Sequence, residues 1–211
     1  MRSLLCALLL AGLAVPLLTR PAAAIDDAAG RERLGVRASY ITSNDGLRDS
    51  YGDGWDLTLY FTETVLSKLV LDIRLGAIYL GEALKPDLDD QITNSYGVVS
   101  QMRVLYFSVG PMVGFRLGGA NTGYASAGVG IYSVSIQLDS AISAYDLSDQ
   151  EVGFNGGIGI ARRLSTNWSL EGNATVHYFG IASNNLYGLF TENADSPLLL
   201  GIGLGVTVDL R

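Results

Sequence analysis

Leu198-Leu199-Leu200-Gly201-Ile202-Gly203-Leu204-Gly205-Val206-Thr207-Val208-Asp209-Leu210 is the stretch that decides how the rest of the chain is read. From Leu198 every second residue is a large aliphatic: Leu198, Leu200, Ile202, Leu204, Val206, Val208 and Leu210. The positions between them hold Gly201, Gly203, Gly205, Thr207 and Asp209. A period of two is that of a strand with one apolar face and one small or polar face, because successive side chains leave a strand on opposite sides. Residues 198 to 210 are also too few for a membrane helix, which needs roughly 20 apolar residues.

Seven upstream segments alternate in the same way. Leu34, Val36, Ala38 and Tyr40 oppose Gly35, Arg37 and Ser39; Trp55, Leu57, Leu59 and Phe61 oppose Asp56, Thr58, Tyr60 and Thr62. Leu69 to Tyr79 sets Leu71, Ile73, Leu75 and Ala77 against Asp72, Arg74 and Gly76, and Leu105 to Phe115 sets Phe107, Val109 and Val113 against Tyr106, Ser108, Gly110 and Gly114. In the fifth segment Ala125, Ala127, Val129 and Ile131 give way to Val134, Ile136 and Leu138. That one-residue change of phase predicts a bulge near Tyr132 or an exit from the apolar band. A sixth strand runs from Val152 to about Leu164, and a seventh sets Trp168, Leu170, Ala174, Val176 and Tyr178 against Ser169, Glu171, Asn173, Thr175 and His177.

The links between the eight segments alternate in length. Those around Ser67, Gly118 to Thr122 and Ser165 to Asn167 are short, whereas 44 to 53, 82 to 99, 139 to 150 and 181 to 196 are long. Short turns on one side and long loops on the other are the pattern of an up-and-down transmembrane barrel. The fold class expected is therefore all-β: eight antiparallel strands in an up-and-down transmembrane β-barrel.

Composition agrees with this and excludes other classes. The 211 residues carry a net charge of -7, with 48% hydrophobic, 17% charged and 26 glycines. Low charge with abundant apolar residues is the reverse of a disordered chain, and an acidic balance argues against nucleic acid as a partner. The first 24 residues read as a signal peptide, with Arg2, an apolar stretch from Leu4 to Leu18 and a small-residue site at Ala22-Ala23-Ala24. Cleavage after Ala24 leaves residues 25–211 as the barrel domain. Loss of Arg2 and Arg20 leaves 12 basic against 21 acidic residues, a net charge of -9. The single cysteine, Cys6, leaves with the signal, so disulfides, thiol nucleophiles and cysteine-held zinc are not expected.

Alternation does not say which face is outside, since a soluble lipocalin-like barrel reads the same with its apolar phase turned inward. Three features favour the membrane orientation. The polar phase is mostly Gly, Ser, Thr and Asn rather than Lys and Glu. Aromatics mark the strand ends on the apolar phase, with Tyr40, Trp55, Tyr79 and Tyr178 at the loop end and Phe115 and Trp168 at the turn end, as in two interfacial girdles. The four long links hold 12 acids against Arg48 and Lys85, whereas Lys68, Arg116, Arg162 and Arg163 lie at the turn end.

Gly123-Tyr124-Ala125-Ser126-Ala127-Gly128-Val129-Gly130-Ile131-Tyr132 resembles the fifth strand of the small eight-stranded outer-membrane barrels of Gram-negative bacteria, the OmpA membrane domain, OmpX, OmpW and opacity-type proteins. Gly157 to Leu170 is similar to the same family's sixth strand, turn and seventh strand. The chain departs from the family in ending Leu210-Arg211 where members usually end in an aromatic. The resemblance implies an outer-membrane location, contact with outer-membrane lipid and lipopolysaccharide, and insertion by the barrel-assembly machinery. It implies a structural or surface-interaction role, or alternatively a narrow OmpW-like channel for small or apolar solutes, and it names no cofactor and no surface ligand.

The polar phase directs Arg37, Asp72, Arg74 and Glu171 into one lumen, in its lower half. Buried charges must be paired, so these four are expected to form a network that plugs the barrel, with Arg74 meeting Glu171 and with Arg37 and Asp72 nearby. Asp87-Leu88-Asp89-Asp90 is the densest acidic cluster but lacks the glycine and distal Glu of a calcium loop, so no metal site is expected. His177 is the only histidine. With Ser183 and Glu192 it has a passing similarity to the triad of outer-membrane lipid A deacylases. That family's His and Ser are two residues apart on one strand, whereas here they are six apart, and the alternation turns His177 into the lumen. No catalytic residue is expected.

Overall fold

The computed structural model describes residues 31–43, 52–66, 69–81, 98–139, 144–180 and 197–210. Eight strands follow in chain order: β1 (Glu32–Ser43), β2 (Gly54–Leu66), β3 (Leu69–Leu80), β4 (Val98–Gly118), β5 (Asn121–Asp139), β6 (Ala144–Arg163), β7 (Trp168–Phe179) and β8 (Leu198–Asp209). Each pairs antiparallel with the next, and β8 closes on β1, from Arg33 opposite Asp209 to Ser43 opposite Leu199. Closure leaves no edge strand, the condition for a sheet to sit in lipid with every backbone group bonded.

The apolar phase faces outward. Trp55 is 64% exposed, Leu204 67% and Ile202 75%, and Leu57, Leu75, Phe107, Val129, Phe154 and Ile158 stand out beside them. Each large aliphatic left in water forgoes roughly 1.5–3 kcal/mol of burial, so a belt of this extent is a lipid-facing surface. The lipocalin-like orientation is thereby overturned.

The girdle residues stand on this belt. Tyr40, Trp55 and Tyr79 form one cross-strand row on β1, β2 and β3, and the rings of Tyr40 and Trp55 meet edge to face at 5.9 Å. Tyr178, Phe115 and Trp168 also point outward. Trp168 and Tyr178 lie ten residues apart on β7. At about 3.3 Å per residue and a tilt near 40°, that is roughly 25 Å of height, the apolar band of an outer-membrane barrel. Phe115 also lies over its cross-strand partner Gly123, covering backbone that has no side chain of its own.

In β5 the bulge alternative is excluded, and one link-length expectation fails between β5 and β6. No bulge occurs near Tyr132, because the β5–β6 pairing is continuous from Asn121 opposite Arg162 to Asp139 opposite Ala144. The strand keeps its phase, so Tyr132 and Val134 both point inward and are fully buried. What changes there is the chemistry of the interior, not the geometry of the strand. For the same reason the third link at the loop end, termed the outer end with the turn end as the inner, is not long: the connection spans only 140–143, and most of the stretch from 139 to 150 belongs to the hairpin. At the inner end, the β4–β5 turn at Gly119 and Ala120 uses positive φ at Gly118 (108°) and Gly119 (59°), which side-chain-bearing residues seldom adopt. The Ser67 link, the Asp87 to Asp90 cluster and most of the long links fall outside the described residues.

Candidate functional site: a stratified lumen

Glycine decides where the large lumen side chains go. Tyr60 of β2 lies across Gly35 of β1, Tyr106 of β4 across Gly76 of β3, and Tyr124 of β5 across Gly159 of β6, each tyrosine directly opposite its glycine. A Cβ at any of these glycines would fall inside the tyrosine ring. Gly205 does the same for a charge pair. In register it separates Arg37 of β1 from Glu171 of β7, and with no side chain between them the two meet over it.

The lower lumen is a charged layer. Arg37 donates from Nε at 3.2 Å and Nη2 at 3.0 Å to Glu171 Oε1, and from Nη2 to the Tyr124 hydroxyl at 3.0 Å. Tyr60 donates to the same carboxylate oxygen at 2.5 Å, with the Arg37 guanidinium 4.8 Å over its ring. With the Asn173 amide turned to suit its neighbours, its oxygen accepts from Arg37 Nε at 2.9 Å and its nitrogen donates to the Gly203 carbonyl at 2.8 Å. Arg74 turns to Asp72, two residues away on the same face of β3, with Nε at 2.9 Å. It also reaches Ser126 Oγ and, at 3.3 Å, Asn155 Oδ1. The four side chains expected in the lower lumen are thus all buried there. They form two pairs, Arg37–Glu171 and Arg74–Asp72, and the expected Arg74–Glu171 contact does not form. β3 offers Arg74 a carboxylate on its own face, and Gly205 opens the short path from Arg37 to Glu171.

Above this layer the hydroxyl of Tyr106 meets Thr58 Oγ1 at 2.7 Å and donates to Asp56 Oδ1 at 3.2 Å, while Thr58 donates to Asp56 Oδ2 at 2.9 Å. Tyr106 stacks on Tyr132 at 5.4 Å, and Tyr132 stacks on Phe179 at 4.9 Å. His177 is 1% exposed, packs 4.9 Å from the Tyr106 ring and places Nδ1 3.2 Å from the Tyr132 hydroxyl. It is a lumen-wall residue among tyrosines; Ser183 and Glu192 lie outside the described residues.

At the outer end the interior becomes apolar. Ile41, Ile78, Leu80, Met102, Val104, Tyr132, Val134, Phe179 and Leu199 come from six strands, and none is more than 1% exposed. The inner end, in contrast, holds a cavity of 310 Å³ lined by Arg33, Arg116, Arg163, Asp209 and the underside of the charged layer.

Sequence reasoning missed Asp56, the four lumen tyrosines and the outer apolar layer as parts of the site. Tyr60, Tyr106 and Asp56 were legible as members of the polar phase, and the glycine directly across from each of Tyr60, Tyr106 and Tyr124 was the further signal. Ile41, Ile78 and Leu199 break the alternation near strand ends, where an inward apolar residue resembles a strand running out.

A closed antiparallel ring of eight strands with a lipid-facing belt and a side-chain-filled lumen defines a small transmembrane β-barrel. Among solved structures its fold is that of the eight-stranded outer-membrane proteins. Neisserial surface protein A matches with a TM-score of 0.60 at 12% identity, covering 85% of this chain and 97% of that one. A major outer-membrane protein from Thermus thermophilus matches with a TM-score of 0.54 at 16% identity, covering 83% and 99%. The outer-membrane protein OprG from Pseudomonas aeruginosa matches with a TM-score of 0.53 at 12% identity, covering 88% and 98%. No protein-family profile and no curated protein sequence matches the chain.

Proposed function

We propose that the protein is an outer-membrane barrel, exported with a cleaved signal, whose lumen is shut and whose role is structural and interactive: it anchors in the membrane and presents acidic outer links. One observation carries this reading. The interior is occupied in series by a paired-charge layer and an apolar layer of fully buried side chains. Ions crossing it would have to break two buried ion pairs and then enter a dry constriction, each step costing several kcal/mol.

The competing reading, a narrow channel for small or apolar solutes, is favoured by the 310 Å³ cavity at the inner end, which the apolar layer closes at the other. Liposome swelling separates the two. Vesicles carrying the refolded barrel and transferred into iso-osmotic arabinose or a small alcohol are expected to swell no faster than empty ones. Swelling that scales with protein content would favour the channel. Neither reading uses a catalytic residue, and His177, enclosed by Tyr106 and Tyr132, has no route to lipid through the barrel wall.

A further inference from the structure

We propose, on the outer-membrane location argued above, that the lipid-facing wall of β2 to β4 carries at its outer end a binding site for the phosphorylated saccharide headgroup of an outer-leaflet glycolipid, with Arg103 as the anion-binding residue. Arg103 continues the outward phase of β4 after Phe107 and Leu105, and it is exposed. In register, Phe107, Ile131 and Val152 form the last row of the belt that is apolar on all three of β4, β5 and β6. The next row is Leu105, Ser133 and Gln150, and the one beyond it is Arg103, Ser135 and Ser148. The guanidinium therefore leaves the wall where hydrocarbon gives way to headgroups.

Among the described residues Arg103 is the one basic side chain at the outer end, which also holds Asp53, Asp149 and Glu151. It ion-pairs with none of these, nor with any other described carboxylate. A cation that a carboxylate-rich end leaves unpaired and turns toward lipid is matched by an anion that the lipid supplies, and a guanidinium takes a phosphate through two parallel N–H contacts. The neighbouring side chains fit the rest of such a headgroup. Tyr79 of β3 lies directly opposite Arg103, and Trp55 of β2 directly opposite Tyr79, all three on the outward face. With about 4.8 Å between neighbouring strands the row is roughly 10 Å long, the length of a disaccharide with a terminal phosphate. Its two rings offer apolar faces to the C–H faces of sugars and polar edges to their hydroxyls. A phospholipid headgroup would engage Arg103 but leave the rings unused.

The chain has two tryptophans, Trp55 at the outer end and Trp168 at the inner, so one spectrum reads both the site and its control. Heteronuclear NMR of the refolded barrel in maltoside micelles follows the two indole N–H signals while diphosphorylated lipid A is added. The expected result is a saturable shift of the Trp55 signal with Trp168 unmoved. Arg103→Gln is expected to weaken the binding about tenfold. Arg162→Gln, on the lipid-facing phase of β6 at the inner end, is expected to leave it unchanged. Arg103 is exposed and its replacement leaves the interior intact, which heat-modifiable migration on gels confirms. Absence of a saturable shift overturns the proposal, as does a shift that survives Arg103→Gln or one that phosphatidylglycerol reproduces at equal mole fraction. Fractionation of cells tests the location separately. A chain recovered in the outer membrane that gives no saturable shift overturns the site and leaves the location standing; recovery outside the outer membrane overturns both.

Discussion

Gly205 shows how much a missing side chain decides in this lumen. Arg37 and Glu171 flank it in register, and a Cβ there would overlap the Glu171 carboxylate and crowd the Val36 carbonyl. Replacing Arg37 by Ala leaves that carboxylate buried without its cation. The expected cost is about 3 kcal/mol or more, read from urea unfolding in micelles, and Glu171→Gln in the same chain is expected to recover part of it. A loss under about 1 kcal/mol would show that the pair contributes little. Gly35→Ala tests the tyrosine layer. The new methyl would lie within the Tyr60 ring, with an expected cost of about 1–3 kcal/mol that shrinks when Tyr60 is also replaced by Ala. Equal costs in both backgrounds would contradict the contact. That Arg37, Asp72, Arg74 and Glu171 share one side of the wall was legible from alternation. Their partners were not, because an arginine reaches several lumen positions and only register together with the empty site at Gly205 selects among them.

At the scale of the element, β5 and β6 are the informative pair. Ser140 to Gln150 carries the serines and aspartates of a loop, yet β5 and β6 remain paired to Asp139 opposite Ala144. Composition misleads here because a hairpin beyond the apolar belt is free to be polar on both faces, which erases the alternation that marks a strand. Amide exchange in micelles is therefore expected to be slow at ladder positions among 134–139 and 144–149. Exchange at free-loop rates across both stretches would show that the hairpin ends at the membrane. The phase change in β5 has a related origin: in the sequence Val134 looks like a slip of the strand, whereas it marks the level at which the interior turns from hydroxyls to hydrocarbon.

Taken whole, the molecule is stratified from its inner mouth to its outer end: an arginine-rich vestibule, paired charges, a tyrosine and histidine stack, and an apolar layer beneath the outer links. Strand count was legible in the alternation from Leu34 to Leu210, the up-and-down order in the lengths of the links, and the outward belt only in the aromatic girdles, the small polar phase and the sorting of charge by end. The strata were not, because they arise from which residues of eight strands share a level, and that depends on register around the ring. Two barriers in series carry a specific consequence. Arg74→Ala removes one of the two ion pairs and leaves the apolar layer shut, so it is expected to be as silent as the parent, while adding Met102→Gly and Phe179→Gly removes that layer as well and opens a path beside the remaining Arg37–Glu171 pair.

Planar-bilayer conductance of the refolded barrel, with Arg74→Ala and the triple variant beside it, tests the closed lumen most directly. A closed lumen predicts no steps from the parent or from Arg74→Ala and reproducible steps from the triple variant; steady ion steps from the parent itself would contradict it.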